Sequence, residues 1–115
     1  MGGTRFAGRT RFVTRHAGAL EWARRLGVDA EVVAHLDPAD LQAGDVVMGT
    51  LPIQLAAEVC RRGGRYFHLV IDLPADLRGV SLTADDMQRL GASLQEYRVE
   101  YLGAAAKPET EPDAG

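Results

Sequence analysis

Short apolar runs alternate along the chain with stretches whose apolar residues recur at helical spacing. Residues 11–15, RFVTR, form the first run and read as a short strand. Ala19, Trp22, Ala23 and Leu26 follow at i, i+3, i+4 and i+7, one face of a helix that Gly27 ends. EVVAHL at 31–36 reads as a second strand, and DPADLQAG at 37–44 as an Asp-Pro turn with room for one helical turn. DVVMGT at 45–50 is the third strand. Ile53, Ala56, Ala57 and Cys60 repeat the helical face; Pro52 suits a first turn and RRGG at 61–64 a stop. RYFHLVID at 65–72 is the fourth strand, followed by a loop with Pro74 and Gly79. Thr83 is placed to cap the next helix. Asp86 stands three residues on, in a weaker form of the capping box, and Leu82 and Met87 suit the hydrophobic staple. Met87, Leu90, Leu94 and Tyr97 predict that helix's buried stripe, and VEYLG at 99–103 a last short strand.

Strands alternating with amphipathic helices predict an α/β fold. The expected form is a small Rossmann-like, three-layer domain. Its sheet has four to five mostly parallel strands in the order 2-1-3-4, with helices on both faces. The connection over 37–44 is short for a parallel crossover, so an antiparallel strand 2 at the edge is the alternative. Residues 11–103 form the single domain, 1–10 a flexible extension and 104–115 a disordered acidic tail.

Composition narrows the class. The 115 residues are 46% hydrophobic and 25% charged, as in a soluble globular domain. No apolar run reaches the roughly 20 residues of a membrane span, and the start lacks a signal peptide's apolar core. A cytoplasmic protein is expected. Cys60, the single cysteine, excludes an intrachain disulfide and any multi-cysteine metal site, and reads as packing; Trp22 reads as a core anchor. The net charge of −3 hides two opposite ends. Arg5, Arg9, Arg11 and Arg15 crowd the first 15 residues, whereas the tail carries three acids and the only lysine, Lys107. Residues 1–103 hold 12 arginines and 13 acids, which disfavours long nucleic acid but leaves room for a small anion. Arginine as the sole cation of the fold suits bidentate phosphate binding, though codon bias produces the same composition.

In an open parallel sheet, ligands bind beyond the carboxyl ends of the strands, where strand order reverses. Here that point lies between strands 1 and 3, in Thr14-Arg15-His16-Ala17-Gly18 and Gly49-Thr50-Leu51-Pro52. Both loops run into predicted helix starts, whose free N–H groups favour phosphate. Arg15 supplies a cationic fork, Thr14 and Thr50 supply hydroxyls, and His16 exchanges a proton near neutral pH. Gly18 and Gly49 permit close backbone approach, and Leu51 completes the second loop. Arg15, His16 and Thr50 are the catalytic candidates; Thr14, Gly18, Gly49 and Leu51, with His35 and Asp37 at the end of strand 2, are the ligand-binding candidates. Blander roles compete: Thr50 as a helix cap, His16 as a solvated loop residue, His35 as an interior histidine, Asp37 as an Asx turn before Pro38. His68, flanked by Phe67, Leu69 and Val70, reads as structural; Asp72 reaches the cleft or caps its loop. No H-x-x-x-H, H-E-x-x-H, Walker lysine, G-x-G-x-x-G or G-x-S-x-G occurs, so neither a metal nor a cofactor is expected.

TRHAGALEW at 14–22, AHLDP at 34–38, GDVVMGTLP at 44–52, LAAEVCxRG at 55–63 and RYFHLxxDLP at 65–74 resemble the sixteenth Csx family. These are small CRISPR-associated accessory proteins of type III loci. The resemblance spans about residues 11–98. It implies a Rossmann-like homodimer with the role of a ring nuclease, degrading cyclic oligoadenylate, above all cyclic tetra-adenylate, without metal. The expected reaction is attack of a ribose 2′-OH on the neighbouring phosphate, leaving linear adenylates with 2′,3′-cyclic phosphate ends. A non-catalytic sensor or sponge for the same ligand is one alternative. A histidine phosphatase is another, because Arg15-His16 after a first strand is similar to that superfamily's R-H-G element, although Ala17 here separates His16 from Gly18.

Overall fold

The computed structural model describes residues 8–16 and 18–106. Most of the expected extension, residues 1–7, and of the expected tail, residues 107–115, lies outside the described residues, as does Ala17. Ten elements follow in chain order. β1 (Thr10–Val13), α1 (Ala19–Arg25) and β2 (Glu31–Val33) lead through a 3₁₀ turn, Pro38–Asp40, to β3 (Val46–Gly49). Then come α2 (Ile53–Arg61), β4 (Arg65–Val70), a second 3₁₀ turn, Ala75–Leu77, α3 (Ala84–Arg89) and β5 (Ser93–Tyr97).

The five strands form one sheet in the order β2-β1-β3-β4-β5. β2, β1, β3 and β4 are parallel, so strand 2 joins in the parallel sense. Its connection to β3 runs from residue 34 to 45, about the dozen residues a parallel crossover needs. β5 alone is antiparallel, pairing Tyr66 with Tyr97 and Val70 with Ser93.

Successive strand residues point to opposite faces, and each face has its own core. Phe12, Val46, Met48 and Leu69 face α1 and α3 through Trp22, Ala23, Leu82 and Met87. On the other face Val47 and Tyr66 meet α2 and the first 3₁₀ turn through Leu41, Ala56 and Val59. The result is the expected three-layer α/β fold with a mostly parallel sheet. Cys60 packs at the edge of the second core, its Sγ accepting the Val99 N–H at 3.4 Å.

Three expectations are corrected. The buried stripe of α2 is Ala56 and Val59, while Ile53 is 73% exposed, and Pro52 precedes the helix as its N-cap. The third helix stops at Arg89, so Leu94 and Tyr97 lie on β5. No strand forms over 99–103. One device explains where the helices end. In all three the glycine after the C-cap, Gly27, Gly63 or Gly91, takes a positive φ of 73–84°. Each time its N–H and the next one fold back onto carbonyls of the last turn, as a Schellman motif requires. Leu90 is thus the end of a helix rather than its middle. Among the described residues no helix is long and apolar enough to cross a membrane.

Candidate functional site

The carboxyl ends of β1, β3 and β4 open into a cavity of about 790 Å³, within the usual range for a small-molecule site. Thr14, Arg15 and His16 enter from the loop after β1 and Thr50 from the loop after β3. His68, Leu69 and Val70 come from β4, and Ile71, Asp72, Leu73 and Arg78 from the segment that follows it. The strand order reverses between β1 and β3, so the cavity sits where an open α/β sheet places its ligands.

Local bonding shapes the first loop. Thr14 Oγ1 accepts the His16 N–H at 3.0 Å, folding the chain back after β1. His16 Nδ1 accepts the Leu82 N–H at 3.3 Å, which ties this loop to the entrance of α3. A backbone N–H only donates, so the neutral His16 ring carries its proton on Nε2. The Arg15 guanidinium is exposed and makes no hydrogen bond or ion pair among the described residues. Arg78 reaches the same cavity with the same freedom, and the side chains of Thr50 and Asp72 are likewise unpartnered. Most other described arginines are engaged: Arg9 with Glu31, Arg11 with Asp45, Arg25 with Glu21 and Asp85, Arg61 and Arg62 with Glu58, Arg65 with Glu96 and Arg89 with Asp86.

The remaining candidates have other occupations. Gly49 has a φ of +143°, and a Cβ there would lie 2.5 Å from the Val13 carbonyl oxygen, so it serves the approach of β3 to β1. A Cβ on Gly18 would lie 2.2 Å from the Ala84 nitrogen, and the Gly18 N–H donates to the Leu82 carbonyl. Leu51 is buried, with its N–H bonded to the Tyr66 hydroxyl at 3.0 Å. His35 and Asp37 do not line the cavity; Ala34 does. Asp37 Oδ1 instead accepts the Ala39 N–H and caps the 3₁₀ turn.

The idea of two helix starts converging on a ligand is also revised. α1 has seven residues, and at its start Gly18 donates to Leu82 and Ala19 to the His16 carbonyl. α2 has Pro52 as its N-cap and no side-chain cap bond, so Thr50 does not cap it and is left exposed to the cavity. No residue of α1 or α2 lines the cavity, whose cationic side chains are Arg15 and Arg78.

His68 and Arg78 are the cavity residues that sequence reasoning passes over. His68 stands within a strand among large apolar neighbours, where a histidine reads as interior. Arg78 lies in a loop without periodicity. Among the described residues no three His, Cys, Asp or Glu side chains cluster as metal ligands.

A family model described as "Putative CRISPR-associated protein (Cas_VVA1548)" matches residues 11–100. No curated protein and no solved structure matches the chain.

Proposed function

The chain belongs to this CRISPR-associated family, and we propose that it is a metal-independent ring nuclease that opens cyclic oligoadenylate, most of all cyclic tetra-adenylate, and so ends the antiviral signal. The reading joins the resemblance to the sixteenth Csx family with one observation. A cavity at the switch point of the sheet holds two guanidiniums, Arg15 and Arg78, without a partner among the described residues, beside an imidazole whose Nε2–H is a donor.

Metal-free cleavage of a phosphodiester by its own 2′-OH needs three things: in-line positioning, stabilisation of a dianionic phosphorane-like state, and somewhere for protons to go. Arg15 and Arg78 supply the charge, and a guanidinium binds two phosphate oxygens at once. His16 Nε2–H and the Thr50 hydroxyl donate to the remaining oxygens and fix orientation. The apolar wall of Val13, Val70 and Ile71 provides a surface for adenine. A cyclic tetranucleotide with two-fold symmetry suits a cytoplasmic homodimer that presents two copies of this cavity. The phosphatase alternative is disfavoured by the His16 tautomer, because a protonated Nε2 is a donor and not a nucleophile.

The test is chromatography of labelled cyclic tetra-adenylate incubated with limiting protein, with and without EDTA. Linear products at many turnovers, ending in 2′,3′-cyclic phosphate and unaffected by EDTA, are expected. An intact ring co-eluting with the protein would establish the sensor or sponge instead.

A further inference from the structure

Tyr66 and His68 stand two residues apart on β4, so their side chains share one face of the sheet. The buried Tyr66 hydroxyl meets three groups: the Leu51 N–H at 3.0 Å, the Gly49 carbonyl at 3.1 Å and His68 Nδ1 at 2.6 Å. A phenol offers one proton and two lone pairs. Leu51 N–H only donates and takes one lone pair. The Gly49 carbonyl only accepts and takes the proton. One lone pair remains for His68, whose Nδ1 must therefore be the donor. The opposite arrangement would set two oxygens 3.1 Å apart with no proton between them. Burial raises the Tyr66 phenol above its usual value, outweighing the Leu51 N–H, so it keeps its proton in the neutral range.

A neutral imidazole with its proton on Nδ1 has a bare Nε2. His68 lines the cavity, and its Nε2 has no partner among the described residues. The two histidines of the cavity thus carry opposite tautomers: His16 offers Nε2–H, and His68 offers a lone pair.

We propose that His68 Nε2 accepts the 2′-OH proton in ring opening, and that Tyr66 is the positioning residue that fixes the tautomer needed for it. This rests on the nuclease reading above. As the proton moves to Nε2, the 2′-oxygen bonds to the adjacent phosphorus and the bond from phosphorus to the 5′-oxygen breaks. The 5′-oxygen takes a proton from solvent, and the His68 imidazolium returns one, which closes the balance. His16 takes no part in the proton transfer and stays a donor to the phosphate.

Two measurements test this together. Nitrogen-15 NMR of the histidine rings in the wild-type protein should show His68 protonated on Nδ1 and His16 on Nε2; a His68 ring protonated on Nε2 would overturn the proposal. Single-turnover cleavage of cyclic tetra-adenylate should fall about a hundredfold or more in His68→Gln, with ring binding unchanged. A wild-type rate in that variant would equally overturn it. In Tyr66→Phe, kcat should fall at unchanged ring affinity while the Nε2–H tautomer of His68 grows, a change that a merely structural tyrosine would not cause. A wild-type protein that leaves the ring intact would remove the nuclease reading itself. That failure differs from loss of this step alone, in which the wild type and His68→Gln cut equally.

Discussion

Among the described residues, Arg15 and Arg78 differ from most arginines in having no carboxylate to hold. A guanidinium without a partner keeps its hydrogen-bonding capacity for a ligand, and the two share one cavity. Charged hydrogen bonds contribute about 1.5–3 kcal/mol each, so Arg15→Ala or Arg78→Ala should weaken ring binding by roughly ten- to a hundredfold. Arg24→Ala removes an exposed arginine of α1 outside that cavity and should change nothing; equilibrium titration with labelled ring separates the cases. Gly49 makes a different kind of contribution. Any side chain there meets both a left-handed φ and the Val13 carbonyl. Gly49→Ala should therefore destabilise the fold by more than about 1 kcal/mol, seen as a lower urea midpoint at unchanged slope. Arg15, His16 and Thr50 are legible as neighbours from strand order alone, because the switch-point rule needs only topology. Arg78 is not, since its place depends on how the loop after β4 returns to the sheet. Nor is His68, since what sets its tautomer is a tyrosine hydroxyl held by backbone groups some 15–17 residues earlier.

Helix ends decide this fold as much as helix faces do. α3 opens with a complete capping box: Thr83 Oγ1 accepts the Asp86 N–H and Asp86 Oδ2 accepts the Thr83 N–H, each at 3.1 Å. Leu82 and Met87 are both buried beside it, as the staple requires. With only six residues, α3 cannot rely on its own propagation. Thr83→Ala should cost about 1 kcal/mol and lower Tm, while Thr83→Ser should restore most of it. The start of α3 is readable because a cap is a local signal. Its end is misleading in sequence because Met87, Leu90, Leu94 and Tyr97 happen to fit a helical period. Gly91, which follows Leu90 as Gly27 follows Leu26, carries the contrary signal. In Ser93–Tyr97 the fit to the sheet edge overrides that period, and Leu94 is packed against the core by pairing with Leu69. For α2 the spacing is right but the face is rotated by about one residue, because Ala56 and Val59 are the positions turned onto Val47 and Tyr66 of the sheet.

Across the whole molecule, charge is sorted between the two ends of the sheet. Among the described residues, the cations of the cavity at the carboxyl end are unpartnered, and Arg9 and Arg11 at the amino end are neutralised. Arg11 on β1 and Asp45 before β3 form an ion pair at 3.1 Å, with side chains only 5% and 7% exposed. Asp45 also accepts the N–H groups of Arg9 and Gln42, each at 3.1 Å. Burial alone would push its carboxyl up, but the Gln42 and Arg9 N–H groups and the Arg11 guanidinium outweigh it and hold it below the usual range. Among the described N-terminal arginines only Arg15 is thereby left for a ligand, since Arg9 is bonded to Glu31. A depressed folded pKa gives stability that is complete above the unfolded value, near 4 for a carboxylate, and is lost as pH falls through the folded value. Glu58, held down to about 2 by Arg61 and Arg62, acts in the same direction from the surface. The urea midpoint should therefore vary little with these carboxylates between pH 7 and 5 and decline below about pH 4. Asp45→Asn keeps the shape but leaves the Arg11 charge buried without its partner, which should cost about 3–5 kcal/mol. Because the introduced amide cannot titrate, that variant should also lose part of the acid decline, and urea denaturation of both proteins at pH 7, 5 and 3 reads the two effects separately.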